Sequence, residues 1–172
     1  MELDLKQYIR TIPDFPRAGI MFRDITTLLE NPVAYKAVLD DLEKYFKEKK
    51  VDKIAGIESR GFIFGAALAD RLNTGFVLIR KSGKLPGGVH VESYDLEYGT
   101  DKLEMHKDSI KPDESVVLID DLLATGGTIS AAVKLIEQAK GVVAGIGFVI
   151  ELDALKGREQ LNGYDVHTLV HY

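Results

Sequence analysis

The chain has no cysteine, so neither a disulfide framework nor thiol chemistry is available to it. Its longest apolar runs, such as Val142 to Ile150, fall far short of the roughly 20 residues that a helical membrane span needs. The opening residues Met1-Glu2-Leu3-Asp4-Leu5-Lys6 lack the apolar stretch of a signal peptide, and a cytoplasmic location is the resulting expectation. Basic tracts are missing, and a net charge of −5 argues against nucleic acid as a partner and, with no apolar span, against a membrane. Two common nucleotide signatures are also absent. No Lys stands before a Ser or Thr in a Walker A loop, and no Gly-x-Gly-x-x-Gly occurs. The four histidines show no metal-ligand spacing, and His106, His167 and His171 are expected to be structural or exposed.

What is present suffices for one domain: 172 residues, 45% of them hydrophobic, with no low-complexity linker. Apolar strands alternate with helical stretches, which predicts an α/β fold with a mainly parallel sheet flanked by helices. Asn31-Pro32 starts a helix whose apolar face is Val33, Ala37, Val38, Leu42, Tyr45 and Phe46. Strands are expected at Lys53 to Ile57, Phe76 to Arg80, Val116 to Ile119, Val142 to Ile150 and Val166 to Leu169. Helices are expected at Phe62 to Leu72 and Ile129 to Ala139, with a short one around Leu155 to Leu161. About thirty residues separate Arg80 from Ser115, a length that points to a functional, hairpin-like lid.

The richest stretch is Val116-Val117-Leu118-Ile119-Asp120-Asp121-Leu122-Leu123-Ala124-Thr125-Gly126-Gly127-Thr128. It joins a buried strand, two carboxylates and a loop of phosphate size at a strand's carboxyl end. Gly126 and Gly127 remove the Cβ atoms that would keep backbone N–H groups off an anion, Thr125 and Thr128 add hydroxyls, and a helix N-terminus follows. Asp120 and Asp121 would repel a phosphate if they faced it. They are better suited to accept hydrogen bonds from sugar hydroxyls, directly or through a metal ion and its waters. A ribose-phosphate site follows. Farther upstream, Glu58-Ser59-Arg60-Gly61 leaves one strand and enters a helix, where its amides and the Arg60 guanidinium can clamp a diphosphate.

The run Asp120 to Thr128 resembles the phosphoribosyl-diphosphate (PRPP) motif of the type I phosphoribosyltransferases, and its Leu-Leu-Ala-Thr-Gly-Gly-Thr form resembles the adenine-using members. Segments Phe15-Pro16 through Phe22-Arg23-Asp24-Ile25, Glu58 to Phe62, Arg80-Lys81 through Lys84-Leu85-Pro86-Gly87, and Leu96-Glu97-Tyr98-Gly99 agree, so the likeness covers nearly the whole chain. Glu58 stands where some members have Asp. The resemblance implies a single domain over 1–172, with a base-binding hood at 1–30 and a flexible lid at 81–107. It implies transfer of the 5-phosphoribosyl group from PRPP to adenine, giving AMP and pyrophosphate with Mg²⁺, in a homodimer serving purine salvage. Another purine (hypoxanthine, guanine or xanthine) remains open as the acceptor, as does a PRPP-sensing regulator, which would need an added nucleic-acid-binding module.

Residue by residue, the likeness assigns Asp120, Asp121, Ala124, Thr125, Gly126, Gly127 and Thr128 to ribose and phosphate. It gives Glu58, Ser59, Arg60, Arg80, Lys81 and Lys84 to pyrophosphate, with a cis or twisted Glu58–Ser59 peptide. Phe22 would stack on the base while the main chain of Met21 and Arg23 reads its edge. Glu97 would be the acid/base residue and Tyr98 a cover for the closed site. Glu104 is the rival to Glu97, but Lys102-Leu103-Glu104-Met105-His106 reads as strand alternation with an outward charge. Mg²⁺ would be bound mainly by substrate and water, with Asp120 or Asp121 as candidate ligands.

Overall fold

The computed structural model describes residues 3–96 and 99–172. The chain runs through a 3-10 turn (Leu5–Tyr8), β1 (Arg10–Pro13), β2 (Met21–Asp24), α1 (Thr26–Glu30), α2 (Pro32–Phe46), β3 (Lys53–Ile57), α3 (Arg60–Arg71) and β4 (Gly75–Lys81). Then come β5 (Val89–Asp95), β6 (Thr100–His106), β7 (Ser115–Leu123), α4 (Gly127–Gln138), β8 (Val142–Glu151), 3-10 turns at Asp153–Leu155 and Gly157–Leu161, and β9 (Val166–His171). Two compact units divide it, Met1–Asp41 and Leu42–Tyr172, with the division inside α2.

In the first unit, β1 and β2 form an antiparallel hairpin, Arg10 opposite Asp24 and Pro13 opposite Met21. Asp24 is buried and satisfied: it accepts from Arg10 Nε and from the amide and hydroxyl of Thr26, each at 2.9 Å. The Thr26 amide and the Arg10 guanidinium outweigh burial and hold its carboxyl below the ordinary range. The Phe15–Pro16 peptide in the hairpin loop is cis. Asn31 starts α2 as expected, its side-chain oxygen accepting from the amides of Val33 and Ala34 at 3.0 Å. The buried positions of α2 are Ala34, Val38, Leu39, Leu42 and Phe46, whereas Val33 is 63% exposed. Val33 lies in the first turn, one position off the buried stripe.

The second unit holds a seven-stranded sheet in the order β5-β6-β4-β3-β7-β8-β9. Strands β4, β3, β7, β8 and β9 are mutually parallel. The antiparallel β5–β6 hairpin is attached to β4 through Arg80 opposite Glu104 and Lys81 opposite Leu103. The fold is thus α/β with a mainly parallel sheet, and the long segment after Arg80 contains the expected hairpin. Val116 and Leu118 of β7 join Ile129, Ala132 and Ile136 of α4 in one core, while Val117 and Ile119, equally buried, point to the opposite face. Being covered on both sides is why β7 reads as a continuous apolar run.

Chain order reverses between β3 and β7. From β3 the chain moves outward to β4, and from β7 it moves outward the other way to β8, so their carboxyl ends open side by side onto a crevice. Among the described residues no helix is long and apolar enough to cross a membrane. Truncating Leu118, fully buried in this central strand, is expected to lower stability by about 2–5 kcal/mol, against less than about 0.5 kcal/mol for Val33→Ala. Urea-unfolding midpoints of the two variants check the contrast.

Candidate active site

Both segments that the sequence marks for phosphate chemistry emerge at this crevice. β7 extends past Ile119 to Leu123, with Leu122 opposite Ile150 and Leu123 opposite Glu151, so both acids lie inside the strand rather than in the loop. The next residues, Ala124 to Gly126, curl into the start of α4. Gly126 has φ +89°, a left-handed conformation that a side chain would strain. Asp120, Leu122 to Ala124 and Thr125 to Ile129 line a cavity of about 80 Å³, room for one small anion.

Asp120 accepts the Asp121 amide at 2.9 Å, and Asp121 Oδ2, which is buried, lies 2.9 Å from Arg60 Nε. Burial and the Asp121 charge push the Asp120 carboxyl well above the ordinary range. Burial raises Asp121 too, although Arg60 pulls it back. The two buried carboxylates resist being charged together, and the Arg60 charge favours ionisation of both. Their closeness to α3 depends on Gly61: a Cβ there would stand 2.8 Å from the Ile119 carbonyl oxygen and 2.9 Å from Asp120 Oδ1.

The Glu58–Ser59 peptide is cis, as the resemblance implied. Glu58 does not turn its carboxylate to solvent; it gathers the cations. It accepts from Arg80 Nε and Nη2 at 3.3 and 3.2 Å, from Lys84 Nζ at 2.5 Å and from the Lys81 amide at 3.1 Å. Burial alone would raise its pKa, but these donors outweigh burial and bring it down to about 2. A phosphoribosyl transferase domain family model matches residues 24–170. The chain belongs to that family.

Relatives agree over the full length. The chain is 55% identical to an adenine phosphoribosyltransferase of Solibacter usitatus, covering 98% of each. Among solved structures, an adenine phosphoribosyltransferase of Thermoanaerobacter pseudethanolicus is 50% identical, with a TM-score of 0.95 over 98% of each chain. The Saccharomyces cerevisiae enzyme, solved with an imino-altritol bisphosphate and adenine, is 44% identical with a TM-score of 0.91 over 96% of each. The fold is therefore that of the type I phosphoribosyltransferases.

Other family positions fall as follows. Lys81, next to Arg80 on β4, points elsewhere, with Nζ 3.1 Å from Asp101 Oδ2, to which the Tyr94 hydroxyl donates at 3.2 Å. Burial and Asp101 raise the Tyr94 pKa. Met21, Phe22 and Arg23 sit on β2: Met21 is half exposed, Phe22 meets Phe15 edge-on at 5.1 Å, and Arg23 donates to the Thr11 hydroxyl at 2.5 Å. Glu97 and Tyr98 lie outside the described residues.

Glu104 corrects the outward charge expected of it. It is buried, accepting the Ser82 hydroxyl at 2.6 Å and the Gly83 amide at 3.1 Å, so it fastens the turn that carries Lys84. Alternation failed because that turn folds back over β6 and supplies polar partners on the outer face. Sequence reasoning also missed Tyr94 and Asp101, whose link is across the β5–β6 hairpin, Tyr94 opposite Asp101 in register.

Glu151, Asp153 and His171 each bring a ligand atom within 4.8 Å of one another, a grouping that the histidine spacing did not foretell. Glu151 is already neutralised by Arg158, whose Nη2 is 2.5 Å away, and none of the three lines the phosphate-loop cavity.

Because the folded pKa of Glu58 lies near 2, below its ordinary 4.5, its stabilising contribution is complete above pH 4.5 and disappears as pH falls toward 2. The stability gap between parent and Glu58→Gln is expected to be flat above this window and to close within it, as read from urea midpoints at several pH values. A gap that ignores pH would overturn the ion-pair assignment.

Proposed function

We propose that this chain transfers the 5-phosphoribosyl group of PRPP to adenine, releasing AMP and pyrophosphate, as a purine-salvage enzyme. The observation that carries this reading is the loop Ala124–Thr128 at the sheet's reversal point, in a chain alike over its full length to adenine phosphoribosyltransferases. In the reaction a ring nitrogen of adenine bonds to the ribose C1 carbon while the C1–O bond to the diphosphate breaks, its electron pair leaving with oxygen. Positive charge grows on the sugar and then on the base, and negative charge on the leaving group.

Each group has work matched to its chemistry. Ala124 to Thr128 hold the 5′-phosphate through amides and hydroxyls at the α4 N-terminus. Asp120 and Asp121 accept hydrogen bonds from the ribose diol. Ser59, Arg60, Arg80, Lys81 and Lys84 take the pyrophosphate end, and Glu58 serves that end by keeping Arg80 and Lys84 gathered until the diphosphate competes for them. Phe22 stacks on adenine while the main chain of Met21 and Arg23 reads its edge, so specificity rests on backbone groups. Glu97 moves the proton that the base nitrogen loses, with Tyr98 covering the site under the lid at 81–107.

Mg²⁺ neutralises charge on the diphosphate when bound. The donor set fits a cation carried mainly by substrate and water, since Asp121 is engaged by Arg60 and Asp120 by its neighbour's amide. We further place the enzyme in the cytoplasm as a homodimer, in which a lid cation can act across the subunit boundary.

Purified protein with Mg²⁺, PRPP and a panel of adenine, hypoxanthine, guanine and xanthine tests the reading: AMP should form fastest, and a faster product from any other base would replace the acceptor. Excess EDTA should abolish turnover without unfolding the chain. Asp120→Asn and Asp121→Asn are each expected to lower kcat/KM, by about ten- to hundredfold for the acid that is charged in the complex, a buried charge-assisted bond being worth about 1.5–3 kcal/mol, and by less for its neighbour. Parental kinetics in the double variant would remove the ribose assignment. Glu97→Gln should lower mainly kcat, by about 10² to 10⁴, with little change in PRPP binding.

A further inference from the structure

Behind the phosphate loop stands the 3-10 turn Gly157–Leu161, and the contact is backbone on backbone. A Cβ on Gly126 would lie 2.6 Å from the Gly157 carbonyl oxygen, and a Cβ on Gly157 would overlap the Ala124 carbonyl. No adjustable side chain separates the two segments, so a shift of one displaces the other.

The turn is itself held at several points. Arg158 donates from Nε and Nη2 to the two carboxylate oxygens of Glu151 at 3.0 and 2.5 Å, and from Nη1 to the Val166 carbonyl at 3.0 Å. Its Nη2 also reaches the Thr168 hydroxyl at 2.8 Å, and that hydroxyl donates to Glu151 at 2.9 Å. Glu151 ends β8 and stands opposite Leu123, the last residue of β7 before the loop. Leu161, 2% exposed, anchors the other end of the turn in the core. Loop and turn are thus both referenced to the same pair of strand ends.

We propose that Gly157 and Arg158 are positioning residues for the 5′-phosphate: the Arg158–Glu151 pair seats the turn, and Gly157 fixes the height of the amides that bind the anion. The inference rests on the reading of Ala124–Thr128 as the phosphate site. A phosphate gripped by backbone N–H groups has no flexible side chain to follow it, and a misplacement of about 1 Å is enough to cost about 10²-fold in rate.

Titration calorimetry with ribose 5-phosphate and, separately, with pyrophosphate tests this in the intact protein. Gly157→Ala drives a methyl against Ala124 and should weaken ribose 5-phosphate by about tenfold or more while leaving pyrophosphate within about twofold. Arg158→Gln, which frees the turn without touching the loop, should produce a smaller loss of the same kind, and Arg158→Lys should recover part of it. In kinetics, KM for PRPP should rise by a larger factor than kcat falls. Unchanged ribose 5-phosphate affinity in folded Gly157→Ala overturns the proposal; if that variant does not fold, unchanged affinity in Arg158→Gln does so. Equal losses of both ligands overturn it as well, since general loosening of the fold acts in that way. Thr125→Val probes the underlying reading separately: if it leaves ribose 5-phosphate binding intact, the phosphate loop itself is misassigned.

Discussion

Two carboxylates at the end of a buried strand are tolerable because Arg60 Nε stands 2.9 Å from one of them and comes from the neighbouring strand-to-helix turn. Burial raises the pKa of both acids, and the nearby guanidinium pulls in the opposite direction, so the strand end remains polar. The same ion pair fastens the β7 end to the start of α3, which is the seam where the sheet reverses direction. Gly61 lets the approach happen, and Arg60 makes it favourable. Anything that binds across this seam meets two helix N-termini and a charge pattern already assembled.

The cations nearby follow a different rule. Arg80 and Lys84 converge on Glu58, and Lys81 on Asp101, so the positive charge at this end of the sheet is stored against internal anions. Such storage keeps the cations from repelling one another and keeps long side chains in a narrow range of positions. An incoming anion would have to compete with Glu58 for Arg80 and Lys84, and with Asp101 for Lys81, rather than recruit three dispersed side chains. Glu104 contributes indirectly: by holding Ser82 and Gly83 it sets the turn from which Lys84 reaches Glu58.

Much of this was legible in the sequence where chemistry demands particular residue types. The sequence limits of strand β3 coincide with the observed Lys53–Ile57 because its apolar run ends abruptly at Glu58. The strand–loop–helix turn at Ala124 to Gly127 is legible because an apolar run gives way there to glycines and hydroxyls. The apolar pattern of β7 stops at Ile119, where the acids interrupt it, whereas ladder pairing with β8 continues to Leu123. The helix expected around Leu155 to Leu161 is two 3-10 turns separated by Lys156, whose φ of +54° no helical periodicity reveals. Period-two alternation turns Glu104 outward because it takes no account of the Ser82–Gly83 turn that covers it. Gly157 and Arg158 do not stand out in the sequence for a further reason: Gly157 meets the distant Ala124 and Gly126 through main-chain atoms alone, and Arg158 reaches Glu151 around a strand end that no periodicity marks.

That main-chain contact has a consequence for anyone wishing to transplant the phosphate loop. Residues 120–128 moved alone into another parallel sheet would carry the hydroxyls, the glycines and the acids, yet lose the surface that fixes their height. A working graft must bring 151–161 along as a second, discontinuous piece, with a strand end able to supply Glu151. Insertions or deletions between Leu152 and Gly157 in natural variants should for the same reason be rarer than the exposed position of that stretch alone would suggest.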